Sequence, residues 1–126
     1  MAKTLKGVDA HAAAKLMKDG ALMVDVREPG EYAHARIPGS RNVALSGFES
    51  SDIGLAPGQR VVFFCASGNR TNVYAARLAD KASGAEAYVI TGGISAWGRA
   101  GLPIESGSDT QEAGGERRGF FSRMFG

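Results

Sequence analysis

The sequence predicts an α/β domain built on a mainly parallel sheet flanked by helices. Three short apolar runs, Leu22-Met23-Val24, Val61-Val62-Phe63-Phe64 and Ala87-Tyr88-Val89-Ile90, read as buried strands. Segments of helical spacing separate them, and Gly- or Pro-bearing turns mark the joints. Strands alternating with helices favour parallel pairing, in which ligands sit beyond the carboxyl ends of the strands.

Taken in order, Asp9 is a candidate N-cap for an Ala-rich helix over residues 10–18, with Gly20 as its stop. A strand over residues 22–26 follows, interrupted by one carboxylate, Asp25. A buried acid needs a partner: Arg27 is two positions on, and Arg70 or loop N–H groups are the alternatives. Glu28-Pro29-Gly30-Glu31 reads as a chain break before one or two helical turns over residues 31–35. Ile37-Pro38-Gly39-Ser40 is a further turn. It leads to a short strand around residues 42–45 and a loose helix over residues 46–53.

Pro57-Gly58 marks the turn before the central strand, Val61 to Phe64. In the helix after it, Tyr74, Ala75, Leu78, Ala79 and Ala82 fall on one face and are expected to pack on the sheet. Ser83-Gly84 ends that helix. Ala87 to Ile90 is the next strand, Thr91-Gly92-Gly93 a tight loop, and Ile94 to Arg99 a short helix carrying Trp97.

The chemistry centres on Cys65-Ala66-Ser67-Gly68-Asn69-Arg70, which joins the central strand to the helix beginning near Thr71. A thiolate there would meet free N–H groups at the helix start, the charge of Arg70, and a backbone that Gly68 lets curl. A nucleophilic cysteine is the expectation; a buried cysteine acting as a small hydrophobe is the alternative. Asp25 and Arg27 are candidate supporting residues, either touching substrate or pairing beneath the loop.

Composition narrows the rest. The 126 residues are 44% hydrophobic and 22% charged, enough for one domain with a real core. A net charge of +2, scattered until the last eleven positions, gives no case for nucleic-acid binding. The single cysteine excludes an internal disulfide, and His11 and His34 form no metal-ligand spacing with it. The first residues lack the apolar core of a signal peptide, so a reducing, cytoplasmic setting is expected.

Four motifs, in order, resemble the single-domain rhodaneses, which are sulfurtransferases. They are Val24-Asp25-Val26-Arg27-Glu28-Pro29-Gly30-Glu31-Tyr32; Ile37-Pro38-Gly39-Ser40-Arg41-Asn42; Phe64-Cys65-Ala66-Ser67-Gly68-Asn69-Arg70-Thr71; and Gly92-Gly93-Ile94-Ser95-Ala96-Trp97 with Gly101-Leu102-Pro103. The resemblance implies a five-stranded parallel sheet and a six-residue loop, Cys65 to Arg70. It further implies that Cys65 takes a sulfane sulfur from a donor such as thiosulfate and passes it to cyanide or a thiol. No metal or organic cofactor is expected.

On that resemblance Cys65 and Arg70 are catalytic, while Ala66, Ser67, Gly68, Asn69 and Thr71 bind substrate chiefly through backbone N–H groups. The similar dual-specificity phosphatases carry one more residue between Cys and Arg. The four found here favour sulfur over phosphate. Where the family commonly shows Gly-His, this chain has Ala35-Arg36; Arg36 either adds positive charge to a neighbouring surface or is merely solvated, and solvation is the expectation. A non-catalytic binding or sulfur-carrier module, recruited through the pocket or the tail, is the second reading.

The expected organisation is one rhodanese-like domain over residues 1–105, then a flexible linker and basic, aromatic tail over residues 106–126. Arg117 to Phe125 alternates basic and aromatic residues, which suggests weak contact with an anionic membrane surface or a protein partner, against a solvated terminus. The expected partners are small sulfur donors and acceptors, thiosulfate, cyanide or a thiol, with a protein sulfur acceptor also open.

Overall fold

The computed structural model describes residues 5–107. The linker and tail beyond residue 107, including Arg117 to Phe125, lie outside the described residues.

The first strand, β1 (Lys6–Val8), leads into helix α1 (Ala10–Lys18). Asp9 caps that helix as expected, its carboxylate accepting from the Ala12 N–H at 2.8 Å. Ala10 and Ala13 are the helix's buried residues, one turn apart, and Lys15 and Lys18 complement its C-terminal end. Strand β2 (Leu22–Asp25) follows, then α2 (Pro29–His34) and β3 (Ala35–Arg36). Pro29 and Gly30 therefore open a helix rather than break the chain. Proline at the first helical position loses no hydrogen bond, and its fixed φ suits the turn.

Strand β4 (Arg41–Asn42) is shorter and earlier than the expected run over residues 42–45, because a 3-10 helix, Leu45–Ser50, begins at Leu45. The central strand β5 (Val61–Phe64) stands where the apolar run placed it, with all four residues buried. Beyond the loop the chain forms two helices, α3 (Asn69–Val73) and α4 (Ala75–Ala82), which meet at Tyr74. Tyr74 is 38% exposed and was expected on the buried stripe. Its ring instead lies 4.9 Å from the Arg77 guanidinium, leaving Leu78, Ala79 and Ala82 as the buried stripe of α4. Strand β6 (Ala87–Ile90), helix α5 (Gly93–Arg99) and strand β7 (Glu105–Ser106) complete the described chain.

Five strands pair in the order β1-β6-β5-β2-β4, every pair parallel. β3 and β7 form a separate antiparallel pair, so pairing within the folded body reaches Ser106. Arg36 belongs to that pair. It meets Glu105 at 3.0 Å and sits 5.5 Å from the Tyr32 ring, a tie between β3 and β7 rather than the solvated residue expected.

Because side chains alternate along a strand, β5 feeds two cores. Val61 and Phe63 join Phe48, Ile53, Leu78 and Ala82 on one face. Val62 and Phe64 join Ala13, Ile37, Ile90 and Trp97 on the other. Trp97 is 3% exposed, its indole N–H donating to the Pro103 carbonyl at 2.8 Å, so it is a core residue.

The register fixes the functional edge. Asp25 at the end of β2 lies opposite Phe64 at the end of β5. The segments that leave these strands, Val26 onward and Cys65 onward, therefore emerge side by side.

Candidate active site

Cys65 is the first residue beyond β5 and is 1% exposed. Its sulfur is not enclosed by hydrocarbon alone. The Gly68 N–H donates to Sγ at 3.2 Å, and the Thr71 hydroxyl lies 3.8 Å away. Burial of the sulfur opposes ionisation. The N–H groups of Thr71, Gly68 and Arg70, together with the Thr71 hydroxyl, outweigh it and hold the thiol below its ordinary pKa. These amides belong to a bowl closed by the start of α3. With only five residues, α3 has little macrodipole of its own, so the stabilisation comes from directed N–H groups.

Two local features make the bowl. Gly68 has φ +96°, a left-handed conformation that a side chain would strain, and it turns its N–H toward the sulfur. Thr71, 1% exposed, lies beneath the loop and donates its hydroxyl to the Gly68 carbonyl at 3.1 Å. Ser67 and Asn69 are exposed, Ala66 half-buried. The loop's outward carbonyls are taken up by α5: Ile94 N–H donates to Cys65 at 2.9 Å and Ser95 N–H to Ala66 at 3.0 Å. This contact demands glycine at position 93, where an added Cβ would stand 2.4 Å from the Cys65 carbonyl oxygen.

Arg70 turns to the rim and forms a two-pronged ion pair with Glu31 of α2, at 2.8 and 2.9 Å. That hydrogen-bonded guanidinium lowers the Glu31 pKa to about 2, and the carboxylate in turn raises that of Arg70. Glu31 also accepts from the Glu28 N–H at 3.1 Å, half of the capping box that starts α2. Sequence reasoning singled out no role for Glu31. The available signal was a Glu-x-x-Glu spacing at a Pro-initiated helix.

Asp25 and Arg27 form a second, separate pair. Asp25 is 0% and Arg27 6% exposed, and the Arg27 guanidinium donates to the carboxylate at 2.7 to 3.1 Å and to the Ala35 carbonyl at 2.6 Å. Of the partners open to Asp25, Arg27 is the one it takes. The pair lies beneath the surface, satisfied by neighbouring groups, and supports the β2 edge.

A cleft of about 500 Å³ runs beside the bowl, lined by Ser67, Gly68, Asn69 and Thr71 on one side and Thr91 and Gly92 on the other. Neither Cys65 nor Arg70 lines it. His11 and His34 are exposed. Among the described residues no three His, Cys, Asp or Glu side chains are grouped as metal ligands.

With this fold and loop in view, comparison with known proteins finds the rhodanese-like domain family over residues 9–100. The chain belongs to the rhodanese-like family. It is 33% identical to thiosulfate sulfurtransferase GlpE of Ectopseudomonas mendocina, over 85% of this chain and 96% of that protein. An uncharacterised protein of Synechocystis is 34% identical over 68% of this chain. The match spans 48% of that relative's length. Among solved structures, a rhodanese-related protein of Thermoplasma volcanium superposes with a TM-score of 0.69 at 26% identity, covering 79% of this chain and 97% of its own. The rhodanese-like sheet and helices expected from the sequence are thus present. Among the described residues no helix is long and apolar enough to cross a membrane.

Proposed function

We propose that this rhodanese-like chain is a sulfurtransferase that carries a sulfane sulfur on Cys65. The observation that carries the reading is the Gly68 N–H donating to Sγ at 3.2 Å in a setting that favours the thiolate. In the first half-reaction the Cys65 thiolate attacks the outer sulfur of thiosulfate or of a persulfide. A new S–S bond forms at Sγ, the donor's S–S bond breaks, and sulfite or a thiolate leaves with the electron pair. In the second, cyanide or a thiolate attacks the outer sulfur of the Cys65 persulfide. The Sγ–S bond breaks and its electrons return to Sγ.

The amides that favour the thiolate would equally hold the terminal sulfur of the persulfide, whose negative charge lies one bond further out. Ala66, Ser67, Gly68, Asn69 and Thr71 form the cradle through their backbones, and Arg70 shapes its rim. With one cysteine in the chain, an external acceptor, a small thiol, cyanide or a protein thiol, must complete the cycle.

The test is thiocyanate formation from thiosulfate or a persulfide donor with cyanide. Wild type should turn over, Cys65→Ser should be inactive and Arg70→Ala sharply reduced. Mass spectrometry of protein purified without reductant should show a gain of one sulfur on Cys65. Failure of both transfer and sulfur loading would favour a binding module instead.

A further inference from the structure

The charges around Cys65 close on themselves. Asp25 is consumed by Arg27 within the fold, and Arg70, on the rim, is gripped by both oxygens of Glu31. Glu31 is itself fixed, since it accepts from the Glu28 N–H at the start of α2. Two pairs of opposite sign sum to zero. What the loop itself presents to an approaching donor is therefore a set of amide dipoles, with its own guanidinium already neutralised.

Resting on the sulfurtransferase reading, we propose that Glu31 sets donor specificity. By pinning Arg70 and cancelling its charge, it disfavours doubly charged thiosulfate relative to donors carrying one negative charge or none, the persulfides and organic thiosulfonates. Glu31 is a positioning residue, acting through Arg70. A free guanidinium at the rim would reward the second charge of thiosulfate. A paired one rewards it little, so the amide cradle, which holds a single terminal sulfur, governs selection. The low Glu31 pKa keeps the neutralisation in force throughout the physiological range.

The field at the sulfur can be read without turnover. Iodoacetate and iodoacetamide alkylate the same thiolate and differ by one negative charge. Their rate ratio at Cys65 therefore cancels thiolate fraction and access, and comparing that ratio between variants cancels charges common to them all, such as Arg99 beside Gly92. Glu31→Gln should raise the iodoacetate to iodoacetamide ratio roughly fivefold at low salt by unmasking Arg70, with the gain shrinking at high salt. Arg70→Gln, which unmasks Glu31, should lower the ratio, and Glu31→Asp, which keeps the charge, should leave it near wild type.

In transfer, the kcat/KM preference for thiosulfate over benzenethiosulfonate should rise in Glu31→Gln through a lower KM for thiosulfate. A purely structural role would change both reagents and both donors together, leaving the ratios fixed, and that result overturns the proposal. A second test leaves Glu31 and Arg70 in place: in Arg99→Gln the alkylation ratio should change less than about twofold between low and high salt, and a steep fall would reveal Arg70 as an unmasked cation and overturn the proposal. No sulfur transfer from any donor would overturn the transferase reading together with the donor preference. Transfer with an unchanged ratio in Glu31→Gln would overturn the role of Glu31 alone.

Discussion

At Thr71 a single hydroxyl serves both the backbone and the reactive sulfur, donating to the Gly68 carbonyl and lying 3.8 Å from Sγ. Thr71→Val should keep the shape and lose the donor. The Cys65 pKa should then rise toward its ordinary value, and alkylation at neutral pH should slow roughly threefold to tenfold while the rate at high pH is unchanged. A pH profile identical to wild type would show that the backbone amides suffice. Glu31 makes a different pH prediction. Its folded pKa, about 2, lies below its ordinary 4.5, so the pair contributes stability above 4.5, and that contribution disappears as pH falls through about 2. Urea unfolding at pH 6 and pH 3 should show a larger loss in wild type than in Glu31→Gln.

The elements that shape the site are the loop after β5, the start of α2 and the N-terminus of α5. Gly93→Ala would thrust a methyl group against the Cys65 and Ala66 carbonyls at a φ of +61°. It should cost about 1–3 kcal/mol and slow Cys65 alkylation by displacing the bowl, measurable by urea unfolding beside a pH-rate profile. Asp25→Asn should cost more, about 3–5 kcal/mol, because Arg27 would be left charged and buried. These links were unevenly legible in the sequence. Val61-Val62-Phe63-Phe64 announced β5 through an unbroken apolar run, and Asp9 announced α1 through its cap. Lys6-Gly7-Val8 has no such run and was placed by no residue pattern, since it gains strand character only by pairing with Tyr88, Val89 and Ile90. Two-residue strands such as β3 and β7 are too short for any periodicity to mark them.

For the molecule as a whole, the sheet order was not readable from spacing, because parallel neighbours are set by crossovers rather than by sequence adjacency. The site suffered similarly. Cys65 and Arg70 were visible as one loop, but the partner that claims Arg70 lies 39 positions away, and several carboxylates competed for it. A sheet with a core on each face should unfold as one unit. Trp97, the single tryptophan, lies in one core, while Phe48 and Phe63 meet in the other with ring centroids 6.3 Å apart. Phe63→Ala should destabilise the protein by about 3–5 kcal/mol, and tryptophan emission and far-UV circular dichroism should shift by the same amount. Separated transitions would mean that the two faces melt independently.

The grip of Ile94 and Ser95 on the Cys65 and Ala66 carbonyls also bears on biosynthesis. During translation the cysteine clears the ribosome while the residues that brace its loop are still held in the exit tunnel. Until α5 docks, the sulfur should behave like that of any unfolded peptide, so the newborn chain passes through an interval without its reactive centre. A nascent chain arrested with Cys65 outside the ribosome and residue 94 still in the exit tunnel should therefore alkylate no faster than a model peptide, and acceleration at that length would mean that β5 and α3 build the bowl unaided.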